Sequence, residues 1–199
     1  MVAIMSVAET RVDDHEGPWT VEDVLALPEH PARARFELVD GVLMMSPAPD
    51  WDHQTVSSAL HSQIKVALAR SGAPFRSGEA VNVTGESRLF IPDIAVVDRA
   101  AVPRGTLAAP LDAAVLLGEI VSPFNRAADR ILKPALYAHA KVPAYWRVEM
   151  KPDLCVVVHE LEGDTYREAA TITGKASVDV AGEFTVDLDL DAVRRELEG

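Results

Sequence analysis

The feature that most constrains the fold of this chain is the run AAVLLGEIVS at residues 113–122. Its apolar residues continue from Ala113 to Leu117 without alternation, which is typical of a central strand covered on both faces. Glu119 interrupts the run. A buried carboxylate without a partner is costly, so Glu119 requires a hydrogen bond, a cation or a shifted pKa.

The segments around this strand alternate between helical and strand patterns. Thr20 and Asp23 resemble a capping box, and Asp40-Gly41 is typical of a hairpin turn. The predicted elements, in chain order, are a helix ending near Pro28, hairpin strands at 36–39 and 42–45, a helix at 51–70, strands at 75–83 and 88–98, the central strand, a helix at 125–140, a meander over 144–173, a strand at 183–190 and a terminal helix. This order predicts an α/β protein with a mixed β-sheet.

Two acids are predicted to lie within apolar strands. By alternation, Asp93 shares a face with Ala95, and Glu119 shares a face with Val115 and Leu117. For either acid alone, a structural ion pair with an arginine or a capped backbone group is the simpler interpretation. Two such acids in strands that neighbour each other are better explained by a shared cation. Mg²⁺ takes carboxylate ligands, and would polarise a phosphate and lower the pKa of bound water.

Geometry predicts that Lys133 returns to the level of Glu119. The strand advances about 10 Å from Glu119 to Ser122, and residues 123–125 would turn the chain. A helix that doubles back covers about 10 Å before it reaches Lys133. Pro134 disfavours a regular helix at this point, so we expect a kink or split that aims the lysine. The alternative is a solvated lysine on a helix surface.

Two further residues have open roles. Glu37 lies among apolar residues in RFELVDG and either completes the acidic site or is an exposed strand residue. His53 shares a helix face with Val56 and Leu60, which favours a position in the core or at the helix N-terminus. The sharper alternative is that His53 contacts the site through that helix end.

Length and composition limit the classes of function. The 199 residues predict a single domain over 18–199, preceded by a loose tail at 1–17. The net charge of −12 argues against broad nucleic-acid binding through a basic surface. Cys155 is the only cysteine, so no intrachain disulfide forms and a reducing cytoplasm fits. No run approaches the length of a membrane span.

Three segments resemble the blocks of the Uma-type putative restriction endonucleases, a bacterial family of the PD-(D/E)XK nuclease superfamily. They are FELVDGVLMMSPAPDWDHQ, IPDIAVVD and GEIVSPFNRAADRILKPALYAHAKVPAYWRVE, and they follow the family order. The resemblance covers roughly residues 20–190. It implies a restriction-endonuclease-like fold, in which helices flank a central mixed sheet.

The resemblance also implies a Mg²⁺-dependent site, with Mn²⁺ as a possible substitute, that hydrolyses DNA phosphodiester bonds. Asp93 and Glu119 match the two metal-binding acids of the superfamily, and Glu37 matches a further active-site acid. The superfamily lysine normally lies two residues after the second acid, where this chain has Val121. Lys133 matches the helix lysine that replaces it in this family. Superfamily members often cut DNA as dimers, so the resemblance implies a homodimer.

A rival hypothesis is a non-catalytic binding or interaction protein that keeps the nuclease fold. The charge of −12 and the missing lysine at position 121 favour the rival. Retention of Glu37, Asp93, Glu119 and Lys133 favours the enzyme.

Overall fold

The computed structural model describes residues 12, 14–30, 32–122 and 128–198. The predicted tail therefore lies mostly outside the described residues. In chain order, the described elements are α1 (Val21–Leu25), β1 (Arg35–Val39), β2 (Val42–Ser46), α2 (Trp51–Ser71), β3 (Phe75–Glu79), β4 (Asn82–Gly85), β5 (Arg88–Phe90), β6 (Ile94–Asp98), β7 (Ala108–Pro110), β8 (Ala114–Ile120), a π-helical turn (Ala128–Leu132), α3 (Lys133–His139), β9 (Ala144–Glu149), β10 (Cys155–Glu162), β11 (Thr165–Ile172), β12 (Lys175–Val180), β13 (Phe184–Asp189) and α4 (Leu190–Glu198).

A six-stranded mixed sheet forms the centre of the fold, in the order β11-β10-β9-β8-β6-β3. Strand β8 pairs in parallel with β9 and antiparallel with β6, and all seven of its residues are buried. The prediction of a central strand covered on both faces is therefore confirmed.

Each face of this sheet packs against a separate apolar cluster. Helix α2 covers one face, where Leu60 and Ile64 pack with Trp146. The other face packs with residues of α3, including Tyr137.

The pairing of β6 with β8 shifts register between Val96 and Val97, and Val115 packs on the α2 side of the sheet. The prediction that Val115 shares a face with Glu119 is therefore wrong, because a bulge breaks the alternation.

A five-stranded sheet, in the order β2-β1-β5-β4-β7, adjoins the central sheet. The β1–β2 hairpin turns at Asp40 and Gly41, with φ of 49° and 84°. Both values are positive, as a two-residue hairpin turn requires. Strand β1 carries Glu37 and pairs with β5 on its other edge.

The predicted strand at 88–98 is split between the two sheets. Strand β5 belongs to the five-stranded sheet and β6 to the six-stranded one, and residues 91–93 connect them. Asp93 thus lies in a bend just before β6 and not within a strand, which corrects the sequence interpretation. The chain must leave one sheet and enter the other at this point, and the Ile91-Pro92 step falls in that connection.

The helix after β8 is split as the sequence predicts. A π-helical turn ends at Leu132, and α3 begins at Lys133 with Pro134 in its first turn. The predicted turn at 123–125 lies outside the described residues.

At the C-terminal end, β12 and β13 pair in a hairpin that packs against α2. The sequence analysis missed β12. No helix in the described ranges is long and apolar enough to cross a membrane.

Candidate active site

The structure brings all four candidate residues to one cavity of about 150 Å³. The cavity lies between the start of α2, the β5–β6 connection, the end of β8 and the π-helical turn. Its wall contains five carboxylates and three basic side chains: Glu37, Asp50, Asp93, Glu119, Asp129, Arg35, His53 and Lys133. Several acids from separate segments therefore converge on one small space.

Asp93 is buried and accepts hydrogen bonds from several directions. The Arg35 guanidinium lies 2.9 Å from Oδ1. His53 Nε2 lies 3.1 Å from Oδ2, and the backbone N–H of Ile120 donates to the same oxygen at 2.9 Å. Burial would raise the pKa of the Asp93 carboxyl, but His53, the Ile120 N–H and Arg35 hold it below its usual range. Asp93 is therefore an ionised carboxylate.

Glu119 lies on β8 next to Asp93. The β6–β8 register pairs Ile94 with Gly118, so the same register places Asp93 across from Glu119. Tyr137 donates its hydroxyl proton to Oε1 at 2.6 Å, and Lys133 donates to Oε2 at 3.2 Å. Burial raises the pKa of Glu119 well above its usual value, and the charge of Lys133 offsets only part of this effect. The Glu119 carboxyl is thus harder to ionise than the Asp93 carboxyl.

Lys133 is buried among three carboxylates. Its Nζ lies 3.0 Å from Glu37 Oε1, 3.2 Å from Glu119 Oε2 and 3.7 Å from Asp129 Oδ1. Burial would lower the lysine pKa, but these acids outweigh it and hold the pKa above its ordinary value. Glu37 Oε1 also accepts the backbone N–H of Ile91 at 2.8 Å. Lys133 is therefore a fixed cation held by acids from three elements.

Asp129 is a member of the site that the sequence analysis missed. It is 3% exposed, and burial raises its pKa to about 6 despite the charge of Lys133. Its backbone carbonyl accepts the hydroxyl of Tyr145 at 2.6 Å. The signal in the sequence was helical spacing, since Asp129 and Tyr137 each lie four residues from Lys133.

The sequence analysis also did not identify Arg35 as the ion-pair partner of Asp93. It lies two residues before Glu37 on β1, so both side chains project from the same face of the strand. His53 takes the sharper of its two predicted positions, since it contacts Asp93 from the first turn of α2. Asp50 caps that helix by accepting the backbone N–H of His53 at 2.9 Å.

The donor set of the cavity fits a cation. Five carboxylates face two permanently charged cations, Arg35 and Lys133. Burial raises the pKa of Glu119, and the neighbouring acids Asp93, Asp129 and Glu37 add to this effect. Among the described residues, no group of three or more His, Cys, Asp or Glu side chains is arranged to hold a metal ion. The cavity thus offers carboxylate oxygens of the kind that a hard cation takes, and Asp93 and Glu119 are the two that the sequence predicts as ligands.

The mixed sheet, the flanking helices and the buried acids on β8 and before β6 define an α/β protein with a restriction-endonuclease-like fold. A crystal structure of a putative nuclease belonging to DUF820, from Anabaena variabilis, has this fold with a TM-score of 0.69 at 22% identity. The match covers 90% of this chain and 99% of that one.

The family model of Uma2, described as "Putative restriction endonuclease", matches residues 21–192. The chain therefore belongs to the Uma2 family, which confirms the resemblance found in the sequence. No curated protein matches the chain at a significant level.

Proposed function

We propose that the chain is a divalent-metal-dependent nuclease that hydrolyses phosphodiester bonds of DNA. The observation that carries the proposal is the convergence of four buried charged residues, Glu37, Asp93, Glu119 and Lys133, from four separate segments in one cavity. Buried ion pairs often stabilise a fold no better than apolar residues would, so a cluster of buried charges with shifted pKa values in a cavity favours a functional role. Membership of the Uma2 family supports the same class of reaction.

Asp93 and Glu119 would hold the metal ion, Mg²⁺ or Mn²⁺. They line one cavity from β8 and from the bend just before the neighbouring strand β6, and carboxylate oxygens are the ligands that these ions prefer. Mg²⁺ keeps several water ligands, so two protein carboxylates are enough. When bound, the ion supplies Lewis-acid polarisation of the phosphate and a lowered pKa of water.

Lys133 would place a positive charge beside the reacting phosphate. Its ammonium group is charged throughout the neutral range because three carboxylates surround it. A preorganised cation stabilises negative charge that develops on phosphate oxygens, and its N–H groups orient the attacking water. Glu37 holds the lysine in place, since the same carboxylate oxygen is fixed by the backbone N–H of Ile91. We thus assign Glu37 a positioning role.

Metal binding would be coupled to proton release from Glu119. The carboxyl group must be ionised to act as a ligand, and its pKa is raised by burial. Divalent ions would therefore bind more tightly as the pH rises through the titration of Glu119. Asp93 is already ionised and adds no such dependence.

A second candidate function is a binding protein that has kept the nuclease fold without catalysis. This candidate is favoured because both proposed metal ligands already accept hydrogen bonds from other groups of the protein. Asp93 accepts from Arg35 and the Ile120 N–H, and Glu119 accepts from Lys133 and Tyr137. A site closed by its own ion pairs needs no external cation.

The test is incubation of supercoiled plasmid with the purified protein in Mg²⁺, in Mn²⁺ and in EDTA. We expect metal-dependent cleavage that is lost in Asp93→Asn, Glu119→Gln and Lys133→Met. Asp187→Asn and Lys175→Met are matched controls, since both positions form exposed ion pairs away from the cavity. Linear product appearing without a nicked intermediate would support cleavage by a homodimer.

Two results together would refute the enzyme proposal. One is the absence of cleavage in either metal. The other is the absence of any metal-dependent rise in melting temperature of the wild-type protein, which binding to the folded state requires.

A further inference from the structure

Trp51 is a large apolar residue that is almost fully exposed to solvent. It is the first residue of α2, and 89% of its surface is accessible to solvent. The other two tryptophans behave differently: Trp146 is fully buried, and Trp19 stacks on His15 with ring centroids 3.7 Å apart. None of the rings in the described part of the chain stacks on Trp51.

Trp51 directly adjoins the candidate active site along the chain. Asp50, which precedes Trp51, lines the main cavity. Asp50 and Asp52 both line an adjoining cleft of about 90 Å³, whose other wall includes Arg130 and Lys151. The chain neighbours of Trp51 thus line the site or its adjoining cleft, whereas Trp51 lines neither.

A second exposed apolar residue directly follows a residue that lines the same cleft. Ile131 is 71% exposed, and Arg130, which precedes it, lines the cleft together with Asp52. Two large exposed apolar side chains therefore lie next in the chain to residues that line the charged cavity or its adjoining cleft. This combination suits a ligand with a charged part that enters the site and a flat, weakly polar part that remains at the rim.

Nucleic acid with an unpaired base has these two parts. In a duplex, each base face is covered by its neighbours, whereas an unpaired base offers a free π-face to an aromatic side chain. The net charge of −12 limits what phosphate contacts alone contribute to binding. Stacking is a sequence-tolerant and uncharged source of affinity, so it suits an acidic protein.

We propose that Trp51 is a stacking platform for an unpaired nucleobase next to the phosphodiester bond that enters the cavity. The substrate class would then be single-stranded nucleic acid, or a duplex with an unpaired nucleotide at the cleavage position. This inference rests on the proposed nuclease function and adds the substrate form to it.

The test compares the affinities of wild-type protein, Trp51→Phe and Trp51→Ala for two fluorescent oligonucleotides. The probes are a 12-nucleotide oligothymidylate and a blunt 12-base-pair duplex, measured by fluorescence anisotropy in EDTA so that cleavage cannot occur. Removal of a base-stacking aromatic weakens single-strand binding about 5- to 150-fold. We expect a loss of this size for the alanine variant with oligothymidylate, partial retention by phenylalanine, and little change for the duplex.

Leu107→Ala is the matched control. Leu107 is 76% exposed and lines a different cavity, so its truncation removes exposed apolar surface away from the site. This control should bind both probes as the wild type does. Circular dichroism of each variant checks that the fold is intact.

Three results would overturn the stacking proposal. The first is that Trp51→Ala and the wild type bind oligothymidylate with equal affinity. The second is that Trp51→Ala loses affinity equally for both probes. The third is that the wild type binds neither probe. Concentration-dependent dimerisation that Trp51→Ala abolishes would assign the indole to a contact between copies and overturn it too. The plasmid assay judges the nuclease separately: Trp51-dependent binding without cleavage would keep the platform and refute the hydrolase.

Discussion

Replacement of Lys133 by methionine removes the one positive charge that Glu37, Glu119 and Asp129 share. Methionine is close to lysine in length and flexibility, so the change deletes the charge and leaves little cavity. The three nitrogen–oxygen distances lie between 3.0 and 3.7 Å, and the lysine side chain is 6% exposed. The three carboxyl groups would remain buried without a balancing cation.

The magnitude follows from these distances. An ion pair at about 3 Å in an effective dielectric constant of about 20 is worth about 5 kcal/mol before the cost of desolvation. Removal of one partner of a buried pair typically lowers the free energy of unfolding by about 3–5 kcal/mol. We expect a loss in this range at pH 8, which is a large share of the stability of a typical domain.

The loss should depend on pH with a definite sign. Without Lys133, the folded-state pKa values of Glu119 and Asp129 rise further above their unfolded values, because the charge of Lys133 no longer offsets burial and mutual repulsion. The folded protein then binds more protons than the unfolded chain between those values. Stability therefore rises as the pH falls through this window, and the deficit against wild type shrinks at pH 5.

Urea unfolding followed by circular dichroism at pH 5 and pH 8 measures the effect. Adding Glu119→Gln to Lys133→Met should restore part of the lost stability, because it removes one of the unbalanced charges. A double-mutant cycle gives the coupling energy, for which we expect more than about 1 kcal/mol between residues in direct contact. A deficit that is equal at both pH values, together with no rescue, would refute the reasoning.

Three further changes test the same account by urea unfolding. Because the pKa of Asp129 is raised to about 6, its charge lowers the free energy of unfolding above that pH. Asp129→Asn should therefore raise the free energy of unfolding by about 1–3 kcal/mol at pH 7.5 and leave it unchanged at pH 4. No gain at pH 7.5 would contradict this prediction. Tyr137→Phe should destabilise by about 1–2 kcal/mol because Glu119 loses its 2.6 Å donor, and unchanged stability would mean that the bond contributes nothing. Gly41→Ala should lower the free energy of unfolding more than Gly163→Ala does. Both glycines have positive φ, but of the two only Gly41 would bring an added Cβ to 3.0 Å from a proline Cβ. Equal losses for the two variants would count against the close contact.

Local patterns were sufficient to predict most of the elements. The hairpin at Asp40-Gly41, the long helix closed by Gly72 and the buried β8 all depend on short-range signals, and each is present. The split at Lys133-Pro134 also followed from local chemistry, because proline cannot complete the helical hydrogen-bond pattern.

Features that depend on contacts distant in the chain were not predictable. Periodicity cannot show that Asp93 lies where the chain passes between two sheets. The glycine before Glu119 is a second case. An added Cβ at Gly118 would meet Ile94 Cβ at 3.2 Å and the Trp146 carbonyl at 3.5 Å, and both neighbours belong to adjacent strands.

The site itself was predicted in part. Each acid and Lys133 stood out because a charged residue in an apolar pattern needs a partner, and this rule identifies candidates without naming the partners. Asp129 was not singled out and Arg35 was not assigned to Asp93, because each lies in an ordinary polar segment and only the fold shows them buried or paired with the site. Whether Glu37, Asp93, Glu119 and Lys133 catalyse a reaction stays a prediction.

The central claim is that Asp93 and Glu119 share one divalent ion, and a crystal soaked in Mn²⁺ tests it most directly. Mn²⁺ scatters anomalously, so its position appears in a difference map without reference to the protein coordinates. The account predicts a single strong peak within ligand distance of carboxylate oxygens of both residues, and no such peak in Glu119→Gln. A map with no peak in the cavity, while Asp93 stays paired with Arg35 and Glu119 with Lys133, would contradict it.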